Sequence, residues 1–506
     1  MKRREFIGAL APLIGAPALI GLSRKAPRAV AGGFVDDGGA VGHTLRDGTA
    51  RAAGETRRIP IAIVGGGMAG LSAGWQLDRH GFHDFVILEL EKSAGGNSRW
   101  GENEITAYPW AAHYVPVPNR EATFVRELFT ELGVMKDGQW EERYLCFSPQ
   151  ERLFQHGEWR SGIEPMDALG PQARDDFRRF DDLIDAARKS RQFTIPMELG
   201  VRRDSPLDRQ SMAQWLDAHD LRSPELRWYA DYACRDDFGA LAAHTSAWAG
   251  VHYFASREHE EQGPLTWPEG NGWIARRLIA KMGQRIVTNS PAIRIEPQGN
   301  LWRVSTTRGT YVADSVIFAA PTFLLPYLTG APQRPDLTYS PWMTANLTLE
   351  RLPRDRSRTG APESWDNVIY GSPSLGYVDA THQSLASRQD RTVWTYYWAL
   401  AEHQPAEARR LLQQRSWNEW VEVILADLEP AHSDIRECVS RVDVMRLGHA
   451  MIRPAPGFLS ATIAASKLAR PGLHLAHSDL SGLSLFEEAQ YRGVTAANAA
   501  LSRVAR

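Results

Sequence analysis

The residues best placed to do chemistry form a glycine-rich turn, residues 65–70, with the sequence Gly-Gly-Gly-Met-Ala-Gly. The turn follows the apolar, β-branched run Ile61–Val64, and a proline-free stretch with helical character comes after it. A second apolar run, Phe85–Leu88, ends at the acid Glu89. A buried strand, a glycine turn, a helix and a second strand ending in an acid form the βαβ unit that binds a dinucleotide.

Each residue of this unit has a predicted physical role. Gly65 lets the chain turn sharply out of the strand, Gly67 lets backbone approach a pyrophosphate, and Gly70 lets the helix lie close to the sheet. Glu89 is expected to accept hydrogen bonds from the ribose hydroxyls. The amides at the start of the helix, those of Met68 and Ala69, would face the phosphates because a helix N-terminus carries a partial positive charge.

A glycine-rich turn by itself is weak evidence, because such a turn is often only a turn. The strand, helix and acid around this one make dinucleotide binding the stronger interpretation. A second near-match, Gly270–Ala275, follows Thr266-Trp267-Pro268-Glu269, which is unsuited to a central strand. We therefore predict no second dinucleotide there.

Two further segments extend the pattern. Gly95-Gly96-Asn97-Ser98-Arg99 is a second glycine turn shortly after Glu89, and residues 471–479 form a short strand that ends in Ser478-Asp479. A segment with helical periodicity follows over residues 486–497. Together these segments resemble the FAD proteins of the amine oxidase superfamily, and the resemblance covers most of the chain after Ile59.

The resemblance implies non-covalent FAD as the cofactor. It implies that the second glycine turn contacts the pyrophosphate, that the C-terminal acid lies near the ribityl chain, and that the last helix points its N-terminus at the pyrimidine end of the flavin. A backbone position before a middle strand would meet the adenine. The residues matched to these roles are Gly95, Gly96, Asn97, Ser98, Asp479, Leu485, Phe486 and Ala292.

The predicted fold class is α/β. A discontinuous Rossmann-like FAD-binding domain, of the glutathione-reductase-like FAD/NAD(P)-binding fold, takes residues 59–114, 265–325 and 457–506. An interleaved α+β substrate domain takes residues 115–264 and 326–456. The sequence patterns predict helices over residues 124–132, 168–193 and 406–428, and strands over residues 342–349 and 393–400.

FAD enzymes of this type take hydride from a carbon, and the protein supplies a dry pocket beside the flavin. Monoamine and polyamine oxidases usually carry a lysine on the strand matching residues 341–349, but here Ala345 or Asn346 occupies that position. The absence of the lysine puts rapid reaction with oxygen in doubt. Candidate pocket residues are Trp110, His113, Tyr114, Asp237, Asn346, Tyr377 and His382, and core packing or loop capping is an equal or stronger interpretation for each.

The N-terminus resembles a twin-arginine signal peptide over residues 1–31. Lys2-Arg3-Arg4 precedes an apolar segment, residues 9–22, that is shorter than a bilayer span, and Ala29-Val30-Ala31 offers a cleavage site. A merely basic N-terminus or an uncleaved anchor remains the alternative. Export as a folded, FAD-loaded protein to the periplasm through the twin-arginine machinery is the expectation, with residues 32–58 as a flexible spacer.

Composition limits the possible partners. A net charge of -2 with mixed signs gives no basic surface for nucleic acid, and no later segment is apolar enough for a stable membrane span. The odd number of widely spaced cysteines (Cys146, Cys234, Cys438) and the scattered histidines predict neither a disulfide framework nor a metal site.

Three functional hypotheses follow. The leading one is an exported FAD-dependent oxidoreductase of the amine oxidase type that acts on a small-molecule amine. The second is a flavin-linked dehydrogenase or desaturase resembling protoporphyrinogen oxidase or phytoene desaturase, which the missing lysine favours. The third is a flavin-binding redox or scaffold protein without turnover. The sequence does not identify the substrate.

Overall fold

A computed structural model describes residues 30–35, 39–166, 169–200, 205–258, 263–355, 360–385 and 389–505. The predicted export motif Lys2-Arg3-Arg4 and the apolar segment after it lie outside these residues. Two large β-sheets, each covered by helices, dominate the described part of the chain.

The helices are distributed along the whole described chain. They are α1 (Gly39–Arg46), α2 (Met68–Arg79), α3 (Thr123–Glu131), α4 (Pro171–Lys189), α5 (Met212–Ala218), α6 (Pro224–Phe238), α7 (Ala247–Ala255), α8 (Gly272–Met282), α9 (Leu325–Thr329), α10 (Pro405–Gln414), α11 (Trp417–Leu428), α12 (Ile435–Cys438), α13 (Phe458–Ser466) and α14 (Phe486–Val504). No helix among the described residues has the length and apolar character needed to cross a membrane.

The first sheet has seven strands and a parallel centre. Its strands are β2 (Thr56–Val64), β3 (Phe85–Leu88), β12 (Ile286–Val287), β13 (Ala292–Gln298), β14 (Leu301–Thr306), β15 (Thr310–Phe318) and β21 (Leu473–Leu475). The order is β12-β3-β2-β15-β14-β13, and β21 pairs with the second half of β15. The last strand of the chain therefore lies beside a strand that joins directly to β2.

Burial on both faces explains the apolar runs of this sheet. Ile61 and Ile63 pack on one side against α2, α8 and α14, while Ala62 and Val64 pack on the other side with β13 to β15 and α9. A strand covered on both faces reads as a continuous apolar run, which is why the sequence located β2 and β3.

The second sheet has eight mostly antiparallel strands. These are β1 (Ala31–Phe34), β9 (Glu151–Gln155), β10 (Glu158–Ser161), β16 (Thr338–Leu349), β17 (Asp366–Ile369), β18 (Tyr377–Asp379), β19 (Thr392–Trp398) and β20 (Val439–Arg453). Their order is β1-β20-β16-β19-β18-β17-β9-β10. Small two-stranded sheets pair β4 (Trp100–Glu102) with β5 (Ala107–Pro109), β6 (Tyr114–Val115) with β11 (Leu265–Thr266), and β7 (Met135–Lys136) with β8 (Gln139–Trp140).

Alternation along β16 gives this sheet two different faces. Met343 and Ala345 pack with α10 to α12, whereas Trp342 belongs to a second cluster on the opposite face with Tyr397 of β19. The helices α4 to α7 form a further core that closes over this second face. The space between them holds the candidate site.

The structure differs from the expected flexible spacer. Residues 31–34 form β1, which pairs in parallel with β20, and α1 and the first residues of β2 also fall within residues 32–58. The segment has no apolar periodicity because β1 is a short edge strand held by backbone hydrogen bonds rather than by buried side chains.

The other differences lie at the ends of elements. The helix predicted over residues 406–428 is two helices, because Ser416 forms a capping box with Glu419 and starts α11. The helix predicted from residue 168 begins at Pro171, and residues 167–168 lie outside the described ranges. The strands predicted over residues 342–349 and 393–400 are β16 and β19, with slightly different ends.

Candidate active site

The first glycine turn has the geometry that its sequence predicts. Gly65 adopts φ 106°, which is favourable for glycine, and its amide donates to the carbonyl of Leu88 at 2.9 Å. A methyl group on Gly70 would lie 1.9 Å from the Gly65 carbonyl oxygen. Helix α2 therefore begins as close to the strand as backbone permits.

Glu89 fixes this turn from the neighbouring strand. Its Oε2 accepts the amide of Gly66 and its Oε1 accepts the amide of Glu91, both at 2.8 Å. Burial raises the pKa of Glu89, and the two backbone donors oppose that shift. The predicted ribose acid is thus held rigidly at the carboxyl end of β3.

The two glycine turns face each other. The amide of Gly95 donates to the carbonyl of Gly66 at 2.8 Å, and a methyl group on Gly96 would lie 3.2 Å from Gly67 Cα. On Gly67 itself the nearest protein atom to such a methyl group would be 3.9 Å away. The space beside Gly67 is therefore open, which is what a backbone approach to a phosphate needs.

Helix α2 also starts without a cap. Gly67 is its N-cap residue and supplies no side-chain acceptor, so the first amides of the helix have no partner within it. Helix α14 starts in the same way at Leu485. Two uncapped N-termini near one groove suit the pyrophosphate and the electron-rich end of a flavin.

A cavity of about 160 Å³, the inner cavity, lies beside the start of α14. Its lining combines turn residues of the first sheet with one face of the second. The lining includes Asn97, Ala111, Ala112, Asn271, Ser484, Leu485, Phe486, Glu487, Trp342, Thr344, Tyr397, Leu447, Ala450 and Met451. Asn271 is 2% exposed, and its Oδ1 has no hydrogen-bond partner, so the cavity contains a buried acceptor that a ligand can satisfy.

These observations fit FAD. The open glycine groove, the uncapped helix starts and the orphaned Asn271 oxygen occur where a dinucleotide with a flavin would lie. When bound, FAD supplies the hydride acceptor.

Aromatic rings form one wall of the inner cavity. The ring of His113 lies 4.6 Å from that of Tyr397, 4.9 Å from that of Tyr114 and 5.5 Å from that of Trp365, measured between centroids. Burial lowers the pKa of His113 to about 4, so this ring is neutral at physiological pH. The wall is apolar and uncharged on the side of the flavin.

A second and larger space of about 1000 Å³, the outer cavity, adjoins the inner cavity. The two share His113, Tyr114, Tyr232, Asp236, Asp237, Arg257 and Asp366. Carboxylates outnumber guanidinium groups in the outer lining: Glu151, Glu164, Asp181, Asp185, Asp236, Asp237 and Asp366 stand against Arg160, Arg188 and Arg257.

The carboxyl groups at the junction of the cavities are strongly perturbed. Burial, with help from Asp237 and Glu151, raises the pKa of Asp236 to about 8. Burial, Glu151 and Asp236 raise the pKa of Asp366 well above its ordinary range. Parallel pairing places Asp366 directly opposite Glu151 on adjacent strands, which explains the repulsion.

Arg257 compensates only part of this charge. Its Nη1 lies 2.7 Å from Oε1 of Glu487, which is 1% exposed and belongs to the first turn of α14. The pKa of Asp237 is raised by burial to about 6 even though Arg257 acts to lower it. No described residue forms an ion pair with Asp236 or Asp366 through side-chain atoms within 4.0 Å.

Several predicted cofactor residues lie around the same groove. Ser98 is buried in the short helix that follows Gly95, and Asn97 lines the inner cavity. Ala292 begins β13, close to Ser290, whose amide donates to the carbonyl of Glu89 at 2.8 Å. Leu485 and Phe486 both line the inner cavity.

Asp479 is fully engaged by protein groups. Its Oδ2 accepts the amide of Thr322 at 2.7 Å and the hydroxyl of Tyr339 at 2.9 Å, and its Oδ1 lies 3.0 Å from Nδ1 of His477. These bonds tie the closing turn to the end of β15 and the start of β16. Asp479 therefore also has a structural role beside its predicted place at the ribityl chain.

The structure brings only some of the candidate pocket residues together. His113, Tyr114 and Asp237 line both cavities. Trp110, Asn346, Tyr377 and His382 lie outside both.

Those four residues have other contacts. Asn346 donates to the carbonyl of Pro109 and accepts from Thr395, Tyr377 bonds His432 Nε2 at 2.8 Å, and His382 Nε2 lies 2.7 Å from the carbonyl of Phe147. The carbonyl of Trp110 accepts from the Thr344 hydroxyl at 2.7 Å. On β16 the residue that reaches the inner cavity is Thr344, two residues before the predicted Asn346 and on the same face of the strand.

Sequence reasoning missed the residues that surround the junction. Asp236 stands beside the candidate Asp237, and Asn271 lies in the glycine turn rejected as a second dinucleotide site. Asp366, Tyr397 and Arg257 follow no recognisable motif. Among the described residues, no cluster of three or more histidine, cysteine or acidic side chains is arranged to hold a metal, and the three cysteines are free and buried.

Comparison with known proteins agrees with this geometry. A family model described as FAD dependent oxidoreductase matches residues 60–470. A protein of Mycobacterium tuberculosis assigned to the flavin-containing monoamine oxidases is 25% identical over 279 residues, which cover 52% of this chain and 57% of that protein. The chain thus aligns with little more than half the length of this curated relative.

Solved structures show the same fold. Putrescine oxidase bound to putrescine is 17% identical with a TM-score of 0.66, and the match covers 89% of this chain and all of that one. Cyclohexylamine oxidase from Brevibacterium oxydans is 16% identical with a TM-score of 0.66, covering 88% of this chain and all of that one.

A substitution at Gly67 tests the glycine groove. Gly67→Val places a side chain in open space with an ordinary extended φ of -74°, so the protein is expected to fold while losing FAD. Purified wild type should carry near-stoichiometric flavin absorbance, and the variant less than about a tenth of it, since the side chain blocks phosphate approach. Gly42→Ala in α1, which has no neighbour within 4 Å, is the matched control. Full occupancy in Gly67→Val would contradict the assignment.

The buried acid Asp366 predicts a pH-dependent stability. A carboxyl group whose pKa is raised by folding stabilises the folded state at low pH, and this contribution is lost as pH rises from about 4 toward the raised pKa. Asp366→Asn should therefore raise the free energy of unfolding at pH 8.5 by about 1–3 kcal/mol and change it little at pH 4. Thermal unfolding at both pH values measures this. Asp220→Asn, at a residue 71% exposed, should show no such difference, and an equal effect of Asp366→Asn at both pH values would refute the perturbation.

Proposed function

The chain belongs to the FAD-dependent oxidoreductase family, and from this premise we propose that it oxidises an amine at the carbon next to nitrogen, with FAD as the hydride acceptor. The observation that carries the proposal is the pair of joined cavities. An uncharged aromatic wall borders the flavin side, and an excess of carboxylates lines the approach.

The charge of the outer cavity favours a cation. Seven acidic side chains line it against three guanidinium groups, one of which, Arg188, pairs with Asp185 at 2.7 Å. Burial keeps Asp236 and Asp366 largely protonated at pH 7, and the other five acidic side chains still outnumber the guanidinium groups. A cleft lined by one sign of charge concentrates ligands of the opposite sign. An alkylamine is a cation at neutral pH, whereas an anionic substrate would be repelled.

The inner cavity favours the reacting end of such a molecule. Tyr114, Tyr397 and His113 offer flat apolar surfaces, and the uncapped start of α14 lines the same cavity. Thr344 stands on β16 near the position where oxygen-using relatives carry a lysine. We propose that an acceptor other than oxygen reoxidises the flavin efficiently.

Anaerobic titration with matched ligands tests the proposal. Cadaverine should bleach the oxidised flavin band, while L-lysine, which adds one carboxylate to the same skeleton, should need at least about tenfold higher concentration because the acidic lining repels it. Peroxide release in air identifies oxygen as the acceptor, and dye reduction without peroxide identifies a dehydrogenase. Bleaching by no amine of a wider panel would overturn amine oxidation, and bleaching by L-lysine but not by cadaverine would overturn the selection of cations by the outer cavity.

We also propose export of the FAD-loaded protein by the twin-arginine pathway. One support is the sequence Lys2-Arg3-Arg4 with the short apolar segment that follows it. The other is that a protein has to fold before it can hold a dinucleotide, and the twin-arginine pathway carries folded proteins. Cell fractionation should find a periplasmic, yellow protein that begins at Gly32. An Arg3→Lys, Arg4→Lys variant should accumulate in the cytoplasm with FAD bound, and periplasmic delivery of that variant would contradict the route.

A further inference from the structure

The junction of the two cavities contains a candidate base for this site. Hydride leaves a carbon next to nitrogen only when the nitrogen lone pair is free. At neutral pH, however, an alkylamine is an ammonium ion with a pKa of about 10.4. Some group at the site must take a proton. The lysine-bearing strand of related oxidases offers Thr344 here, whose hydroxyl already donates to the carbonyl of Trp110.

Resting on the amine oxidation proposed above, we propose that Asp236 takes the proton that the incoming ammonium group must lose before hydride transfer. The N–H bond breaks, its electron pair stays on nitrogen as the lone pair, and the proton bonds to a carboxylate oxygen of Asp236. The step needs no oxidant, and it leaves a neutral amine beside a neutral carboxyl group.

The position of Asp236 supports this role. It lines both cavities, so a ligand moving from the outer to the inner one passes it. Its Oδ2 lies 3.5 Å from the hydroxyl of Tyr114, a residue of the aromatic wall. It also belongs to the last turn of α6, where the helix dipole disfavours negative charge.

Among the described residues no cation forms an ion pair with Asp236, and Arg235 opposes its raised pKa only at longer range. The guanidinium of the adjacent Arg235 donates instead to the carbonyls of Ser372, Pro373 and Ser374. Charged and titratable groups surround Asp236 on several elements. They are Arg235, Asp237 and Tyr232 on its own helix, Tyr114 on β6, Glu151 on β9, Asp366 on β17, Tyr397 on β19, Tyr253 on α7, and Arg257 just after α7. An ammonium ion is the group that this environment lacks.

The raised proton affinity makes the transfer effective. An ordinary aspartate, with a pKa of about 3.9, lies about six units below an alkylammonium, so the neutral pair would form about once in a million complexes. With the pKa of Asp236 at about 8, the gap falls to about two units. The reactive neutral amine is then more populated than it would be beside an ordinary aspartate.

Proton counting on binding tests the assignment apart from redox chemistry. tert-Butylamine carries no hydrogen on the carbon beside nitrogen and is not oxidised. At pH 7 the free Asp236 is largely protonated and the complex shares one proton, so binding should release a substantial fraction of one proton per amine. Titration calorimetry of the FAD-loaded protein in phosphate and MOPS, which differ in ionisation enthalpy and contain no primary amine, measures that number.

The variants are chosen on the same helix. Asp236→Asn should bind the amine with no proton release, whereas Asp231→Asn, whose amide oxygen still accepts from the amide of Ala242, should release as much as wild type. Glu151→Gln removes a charge that raises the pKa of Asp236, so it should reduce proton release at pH 7. If Asp236→Asn does not fold, the variant that lowers the pKa of Asp236 provides the test of proton release.

Rapid-mixing kinetics gives the catalytic readout. Asp236→Asn should slow flavin reduction by an oxidisable amine at least about a hundredfold at pH 7, and the deficit should shrink toward pH 10 as solvent deprotonates the amine. Unchanged proton release or a pH-independent deficit would overturn the assignment. Proton release that depends on Asp236 without reduction by any amine would overturn amine oxidation and still support the proton transfer.

Discussion

The need to keep backbone amides free at the start of α2 governs the arrangement of the first sheet. A helix N-terminus binds an anion only when no side chain caps it, and Gly67 leaves it uncapped. Glu89 holds the turn from β3, and the carbonyl of Gly66 accepts the Gly95 amide, so that the second glycine turn lies opposite the first. Helix α14 completes the unit, because Gly493 lets it pack directly on the carbonyl of Ala69. Each contact preserves an open groove that side chains would otherwise fill.

This local character explains which parts the sequence predicted. The turn at residues 65–70, the acid Glu89 and the strands β2 and β3 are adjacent in the chain, and their geometry follows from glycine positions and burial on both faces. The twelve-residue α2 and the last helix followed from periodicity in the same way. Edge strand β1 escaped detection, because its pairing with β20 depends on a partner in a distant part of the chain.

The substrate side could not be predicted with equal success, for a different physical reason. Asp236 comes from a helix and Asp366 from a strand, and only the tertiary fold brings their carboxyl groups to one junction. On β16 Thr344 and Asn346 lie on the same face, and only the position along the strand decides that Thr344 reaches the cavity. Neither the composition of the chain nor the spacing of its residues predicts that Asp236 meets Asp366 or that Thr344 reaches the cavity.

The two halves of the site therefore present opposite electrostatics to a ligand. The cofactor groove offers the positive ends of α2 and α14, whereas the entrance offers carboxylates that the described cations neutralise only in part. A cation is drawn in by the entrance, but its charge is unfavourable against the positive helix ends. Loss of the ammonium proton at the junction of the two cavities resolves this conflict, because a neutral amine enters the inner cavity more easily than an ammonium ion. The same carboxyl groups that attract the substrate are thus placed where its proton has to leave.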